Sequence, residues 1–590
     1  MRSTIFRKAN LFFLVCLLPC FAGASLWADE GDPPGRVARV SYLQGTVSLQ
    51  PSGENDWSQA TLNYTVTTGD RLYTDQGARV ELEVGPFAVR MSEETDLTMA
   101  NLNDQMMQLG IGQGSIRITV YDLPAGNSVE IATPNGALTI LQPGSYRVDT
   151  DPNGGTMVSV NEGSLQVSGG GADVTVESGQ AVQLTGTDSV QATLVALPGE
   201  ADFDQWCASR DGRIRSFRSR EYVSPDTPGA EDLDAYGTWS EVPEYGPVWY
   251  PAGVAVGWVP YRFGHWVWIS PWGWSWVEDE PWGFCPFHYG RWALIGSAWG
   301  WVPGPVAVVP VYAPALVVFA GGGGFSVEIG VQAWFPLGPR EPFFPWYHHG
   351  DGYLRQVNVT NVRVTNITNI INVRDVNEIH YVNRGAVTAV STDTFRNGQP
   401  VTRGLVRVPP EQIARLQVVP HPEVTPTKTA AFGGRGPVAP PVIRSDRVVR
   451  RGMPAGGRPA PIQGGQPARV IAPPTRNAPN GQGAPSGQPA RVIAPPTRNA
   501  PNGYGAPSGS PNPPTHFVTR TPPPPHDVPF SAKEPALAQH PGRPLEPQQT
   551  ENLRAGKPAG PMQDKEFPPH ESNRESKPAP RPKEDSRSKH

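Results

Sequence analysis

Between residues 36 and 190, apolar and polar side chains alternate with a period of two in one short run after another. Val80, Leu82 and Val84 interleave with Arg79, Glu81 and Glu83, and Ile116, Ile118 and Val120 with Arg117 and Thr119. The same spacing recurs at Val129 and Ile131, Tyr146 and Val148, Val158 and Val160, Leu165 and Val167, and Val174 and Val176. Side chains two apart on a strand share a face, so each run predicts a strand with one apolar side. Glycine and a small or polar residue punctuate the runs, as at Gly45-Thr46, Gly69-Asp70, Gly114-Ser115, Gly144-Ser145, Gly163-Ser164 and Gly179-Gln180. Many short strands, glycine turns and no helical period predict a solenoid- or sandwich-like all-β domain over 36–190, long enough to bury its own core.

The period changes after residue 200. In 202–222 (DFDQWCASRDGRIRSFRSREY), Phe203, Trp206, Cys207 and Ile214 share a helical stripe with Asp202 as N-cap. Pro225 and Pro228 follow, so 200–235 reads as a helix and linker. From 236 to 320 a motif recurs: Gly264-His265-Trp266, Ile269 and Trp272-Gly273-Trp274, then Gly290-Arg291-Trp292, Ile295 and Trp299-Gly300-Trp301. Gly257-Trp258-Val259-Pro260 echoes Gly300-Trp301-Val302-Pro303. The period of 26 to 27 predicts β-hairpin units joined by Pro- and Gly-containing turns.

Residues 321–419 open on the glycines 321–324 and continue into a run rich in Asn and Val, with asparagines at 358, 361, 366, 369 and 372. Its β-branched content favours extended structure, while the spacing leaves a helix open. Pro409-Pro410-Glu411 predicts a short helix to about Val418. Beyond 420 the chain is Pro- and Gly-rich, and 466–487 and 488–509 are near copies of one 22-residue unit. Such composition buries too little apolar surface to offset ordering entropy, so 420–590 is expected to be a long disordered basic tail. The fold class is therefore mainly β, with a Trp-rich hairpin domain between the N-terminal domain and the tail.

Composition sharpens the middle of the chain. Twelve of the 17 tryptophans lie between Trp239 and Trp301. Trp266 and Trp268 share one strand face, as do Trp272, Trp274 and Trp276, which most simply makes them a core. The alternative is an aromatic platform for sugar faces, with Trp266, Trp268, Trp272, Trp274, Trp276, Trp292, Trp299 and Trp301 as candidate rings.

Charge is divided too. Residues 29–420 carry 23 basic and 42 acidic side chains, and 421–590 carry 23 and 12. The basic tail suits anionic envelope polymers, the protein's own acidic body, or plain solubility. At the N-terminus Arg2, Arg7 and Lys8 precede an apolar run, Leu11 to Phe21, and small residues at Ala22-Gly23-Ala24 or Ala28. That is the pattern of a secretory signal peptide over 1–28, with lipidation at Cys20 a poorer fit because Pro19 precedes it. No later run is long and uninterrupted enough to span a membrane. The expected location is the periplasm, cell surface or medium, which makes nucleic acid an unsuitable partner. Cleavage leaves Cys207 and Cys285, which either form one disulfide or stay buried and free.

No motif for nucleophilic catalysis, a zinc protease or phosphate binding occurs, and no catalytic residue, cofactor or metal site is expected. His348-His349 lacks a third ligand at metal spacing. Glu278, Asp279 and Glu280, with His265 and His288 nearby in the repeat, could serve a glycosidase, but a solvated acidic turn between two strands explains them better. Asn358-Val359-Thr360 and Asn366-Ile367-Thr368 match a glycosylation pattern by chance.

The runs QLGIGQGSIRITV, VEIATPNGALTILQPGSYRVDTD, SVNEGSLQV and VTVESGQAVQL resemble the FecR-type domain, the periplasmic part of regulators acting with outer-membrane transporters and sigma factors. Ala132-Thr133-Pro134-Asn135-Gly136, Pro143-Gly144-Ser145-Tyr146 and Gly179-Gln180 carry most of the likeness, over about a quarter of the chain. The resemblance implies a stacked, solenoid-like β module making protein contacts in the envelope. Transmembrane regulators of that family begin with a cytoplasmic helical segment and a membrane helix. Here a cleavable signal stands in their place, so the regulatory role does not carry over. The segment from Tyr222 to Pro305, with its WGW, HYGRW and PEYGPVWYP elements, is similar to a Trp- and Tyr-rich domain of unknown function that follows exported FecR-like domains. The expectation is a non-enzymatic bacterial envelope protein that binds or scaffolds, with an envelope protein, a cell-wall glycan or both as partner. The alternatives are a glycan-acting hydrolase using the 278–280 carboxylates and a periplasmic component of a FecR-type signalling system.

Overall fold

The protein is mainly β in the computed structural model, which describes residues 31–151, 155–321, 330–362, 379–439, 441 and 517–562. The N-terminal module holds seventeen strands among the described residues, from Ala38–Gln44 to Gln191–Val195, in two layers. The 15-residue strand Met106–Val120 belongs to both. Its second half pairs with Phe87–Met91 and Gly144–Thr150 in layer one, and its first half with Thr95–Leu102 and Ser128–Ala132 in layer two. The last pairing is parallel, and the module's others are antiparallel.

The alternation places the core. Val80, Leu82, Ile116, Ile118, Val129 and Ile131 are fully buried between the layers, each contributing about 1.5–3 kcal/mol relative to exposure. Their polar neighbours turn to the other side of layer one, yet that side is not solvated. Glu81, Arg90 and Arg39 are completely buried there, beneath the helix Asp202–Ser216 and the chain that follows it.

That helix docks through charge. Its buried face combines Phe203 and Cys207 with Asp204, Arg210 and Asp211, at the helical spacing that aligns them in one stripe. Arg210 donates to Glu81 at 2.5 Å, and Arg90 donates to Glu81 at 2.6 Å and Asp211 at 2.7 Å. Asp204 accepts from Arg117 at 3.0 Å and Arg147 at 2.6 Å. A buried charge is tolerated only when paired and hydrogen-bonded, and this seam meets that condition by joining residues far apart in sequence. Asp202 is not the N-cap. Ala201 occupies that position, and its N–H is held at 3.0 Å by the Asp204 carboxylate, which reaches back from the first turn. Trp206 is half-buried, with its ring 5.3 Å from that of Tyr42.

The expected linker is packed as well. Gly229, at φ +82°, lies where a Cβ would come within 2.6 Å of the Arg39 guanidinium, and its N–H donates to Glu83 at 2.9 Å. Arg39 also reaches Asp232 at 2.6 Å and the Pro281 carbonyl at 2.8 Å.

Three smaller sheets follow. Gly264–Ile269 and Gly273–Glu278 form a two-stranded hairpin. The hairpin Arg291–Ile295 and Ala298–Val302 joins Gly246–Pro251 and Gly237–Val242 in a four-stranded sheet. The third runs in the order Thr388–Ser391, Val331–Pro336, Val317–Gly321, Gln417–Val419. Val317–Gly321 thus crosses the division expected at 320/321 and gives both segments one sheet. The helix expected from Pro409-Pro410 spans only Pro410–Ile413, because 417–419 is taken up as a strand. The Asn-rich run begins within the helix Asp351–Val359, which holds Asn358, whereas Asn366, Asn369 and Asn372 lie outside the described residues.

The tail departs from the expectation of an unfolded segment in two places. Residues 420–439 pack on the body, with Val438 bridging Trp57. Residues 517–562 form the helices Phe530–Gln539 and Pro547–Arg554 and bury Phe530 and Leu537. Those two stretches carry apolar anchors that the surrounding low-complexity sequence lacks. Residues 1–28, read as a signal peptide, and the remainder of the tail lie outside the described residues. Among the described residues no helix is long and apolar enough to cross a membrane.

Candidate functional site

The tryptophan-rich hairpins are built from cross-strand aromatic pairs. Trp266 faces Trp276 and Trp268 faces Trp274 in the first hairpin, and Trp292 faces Trp301 and Leu294 faces Trp299 in the second. The rings meet edge to face, 5.5 Å apart for Trp266 and Trp276 and 5.3 Å for Trp268 and Trp274, as ring quadrupoles favour. Both faces of the first hairpin are covered. Trp266 packs on Phe319, Trp334 and Phe395, and the Trp346 indole N–H donates to the Trp272 carbonyl at 3.0 Å.

The platform candidates are therefore corrected. Trp266, Trp268, Trp272, Trp274, Trp276, Trp292, Trp299 and Trp301 are each at most 8% exposed, and a ring without a free face cannot stack on a sugar. Among the same group of rings, Trp239 is half-buried and donates its indole N–H to Ser219 at 2.9 Å.

The repeat is real as hairpins, but its alignment shifts. Trp301 is the partner of Trp292, and Trp276, not Trp274, is the partner of Trp266. The structural equivalents are thus Trp274 with Trp299 and Trp276 with Trp301, while Trp272 lies in the first turn with its ring 5.1 Å from that of Tyr312. The first turn has three residues between the pair Ile269 and Gly273, the second has two between Ile295 and Ala298. A slip of two along a strand keeps every side chain on its face, so sequence pattern alone cannot detect it.

The acidic turn is structural. Glu278 is buried, accepts the Trp276 indole N–H at 2.9 Å, and packs where a Cβ on Gly283 would strike its side chain at 2.2 Å. Burial pushes its carboxyl well above the usual range, against the opposing pull of that hydrogen bond. The main-chain carbonyls of Glu278 and Glu280 accept from Asn63 at 3.0 and 2.7 Å, latching this turn to the N-terminal module. Asp279 is exposed, 3.8 Å from His265. His288 is buried with Nδ1 2.8 Å from the Ala313 carbonyl, and burial lowers its pKa to about 3, so the ring is neutral.

Cys207 and Cys285 do not pair; both are free and buried, which corrects the disulfide option. Cys207 faces layer one beside Arg90 and Arg117, whereas Cys285 lies by Arg39 and Glu231. Burial pushes the Cys207 thiol up to about 12 and the Cys285 thiol up as well, leaving both protonated. Among the described residues no group of three or more His, Cys, Asp or Glu side chains could hold a metal ion.

Asn358 and Asn361, two members of the Asn-rich run, brace the interior. Asn358 accepts the Phe343 N–H at 2.7 Å and returns a bond to its carbonyl at 2.9 Å, and Asn361 accepts the Gly290 N–H at 3.1 Å. Asn358 is fully buried, which agrees with a chance glycosylation match.

One contact went unnoticed in the sequence. Layer two of the N-terminal module holds the tail segment Phe517–Thr521 on its outer side. Val518 donates its N–H to the Thr133 carbonyl at 3.0 Å, and Gln108 donates to the Thr521 carbonyl at 2.6 Å. The Glu130 carboxylate accepts the N–H groups of Arg520 at 2.8 Å and Thr521 at 3.2 Å. Phe517 sits over Gly110, where a Cβ would come within 2.7 Å of its ring. A glycine between Gln108 and Gln113 on an otherwise patterned strand was the available signal, since it marks close approach of another group.

Comparison with known proteins adds a local likeness. Residues 230–341 match a family of unknown function, DUF6600. No curated protein matches the chain. Two crystal structures from Parabacteroides distasonis ATCC 8503, at 1.65 and 2.50 Å, each described as a candidate anti-sigma factor, are similar to parts of it. The first is 13% identical with a TM-score of 0.20, over 24% of this chain and 65% of that one. The second is 14% identical with a TM-score of 0.16, over 29% and 66%. The chain thus spans just under two thirds of the length of each structure it resembles.

Proposed function

We propose that the protein is an exported, non-enzymatic component of a bacterial cell envelope that binds or scaffolds other proteins through its N-terminal β module, a module of FecR type. The observation that carries this reading is the grip of layer two on an extended polypeptide, made largely to main-chain groups. Main-chain recognition by a sheet face suits a protein-contact module. The N-terminal charge and apolar pattern supports export. The tryptophan mass supports a structural role for the second domain, which is latched to the first through Asn63 and Arg39. Of the groups that suggested hydrolysis, Glu278, Asp279, Glu280, His265 and His288, three (Glu278, His265 and His288) are buried in the interior, which supports a role without turnover.

The test has two arms. A reporter fused after residue 35 and expressed in a Gram-negative host should be exported, and deletion of residues 2–28 should retain it inside. The purified exported chain, cross-linked in a periplasmic extract, should join to a discrete envelope protein and release no sugar from peptidoglycan. Retention of the reporter in the cytoplasm, or glycan turnover lost on Glu278→Gln, would overturn the reading.

A further inference from the structure

The outer side of layer one is sealed by the 202–216 helix, while the outer side of layer two is covered at Gln108, Gly110 and Glu130 by residues 517–521 of the same chain. Gln108, Glu130, Thr139 and Gln166 stand in register across four neighbouring strands, forming one polar row. Gln108 and Glu130 are almost fully buried under the segment, bonded to each other at 3.1 Å and to its main chain. The ledge at one side is the Thr133–Gly136 turn. It is fixed from within by Asn135, which donates to the Gly186 carbonyl at 2.8 Å and accepts from Thr156 at 2.7 Å.

The segment itself makes a single bridge with the module, Val518 to Thr133, and no continuing ladder. Its remaining hold is the Glu130 carboxylate on two N–H groups, Gln108 on one carbonyl, and Phe517 on the glycine floor. Arg520 adds a solvent-side contact to Gln166 at 3.3 Å. Pro522 to Pro525 follow at once, so no further N–H is offered to the sheet. This is the form of a short-motif ligand in a groove, set in place by its own contacts rather than by continuity with a strand.

We propose that this face of layer two is a peptide-binding groove for an extended segment of the pattern aromatic, β-branched, any, basic, Thr followed by proline, and that residues 517–521 occupy it in cis. The inference rests on the reading of the β module as a protein-contact module and names the chemistry of its partner. A partner carrying such a segment competes with the tethered one, which acts at an effective concentration up to the order of millimolar.

The experiment titrates a fluorescent peptide of residues 517–526 (FVTRTPPPPH) into the purified chain from residue 29 onward. Phe517→Asp in the protein frees the groove and should tighten peptide binding about ten-fold or more over the unaltered chain. Arg520→Pro, which removes one N–H given to Glu130, should do the same by a different route and guards against misfolding of the first variant. Adding Gly110→Val to either should abolish binding while leaving the melting temperature of the module in place. Equal affinity with and without Gly110→Val, or no gain from freeing the groove, would overturn the proposal. A dimer that dissociates on Phe517→Asp would overturn the cis assignment in favour of a second copy's segment. Purified protein and synthetic peptide are used throughout, so failure here leaves the export and cross-linking arms of the broader reading intact.

Discussion

Arg90 and Glu81 stand directly opposite each other on neighbouring strands, Nε to Oε2 at 2.6 Å, and neither side chain reaches solvent. Burial by itself would raise the Glu81 carboxyl, but Arg90 and Arg210 outweigh it and hold its pKa at about 2. Glu81→Ala leaves two guanidinium groups short of their acceptor and is expected to cost about 3–5 kcal/mol. Glu162→Ala, which removes the exposed partner of Arg215 at 3.7 Å, should change stability by no more than about 1 kcal/mol. Denaturant midpoints compare the two; similar losses would deny the seam its role.

A buried histidine, His288, and a half-buried one, His421, set a pH dependence. Burial lowers the pKa of His288 from 6.5 to about 3 and that of His421 from 6.5 to about 4. At these two sites the unfolded chain binds protons that the folded chain refuses, so the stability they contribute is intact above pH 6.5 and falls as pH drops toward 4. Replacing both with Gln should flatten melting temperature against pH between 6.5 and 4.5. An unchanged slope would mean that neither ring is kept neutral.

The hairpin tryptophans should behave as core. Trp274, with its ring 4.5 Å from that of Phe395, is expected to cost about 3–5 kcal/mol on truncation to Ala. Half-buried Trp239 should cost distinctly less. If Trp274→Ala melted like the unaltered protein, the ring would not be packed as described.

Both thiols should be silent until the fold opens. Iodoacetamide is expected to add two groups to the chain from residue 29 in denaturant without any reductant, and almost none under native conditions. No addition in denaturant would reveal a disulfide between them.

The sequence was most informative where one face of an element decides its shape. Alternation at Val80–Val84 and Ile116–Val120 marked strands and their buried side correctly. It could not say that the polar side is buried too, because the partners of Glu81 and Arg90 lie 129 and 121 residues away. The clue was present in the 202–216 helix, where Asp204, Arg210 and Asp211 share the stripe of Phe203 and Cys207. The tryptophan repeat was legible as hairpins, and its slip of two was hidden because such a slip preserves faces. In the tail, low-complexity composition on either side obscured two short stretches, 517–521 and 530–539, whose apolar residues find seats on the body.

Arg39 belongs to the first strand among the described residues, yet two of its partners, Asp232 and the Pro281 carbonyl, lie 193 and 242 positions later. A chain that emerges N-terminus first, from ribosome or export channel, delivers both partners well after Arg39. Through that interval the opening strand carries a guanidinium whose site is unfinished, and the N-terminal module cannot close in its final form. Order in time is thus written into one side chain: the beginning of the protein waits for its middle.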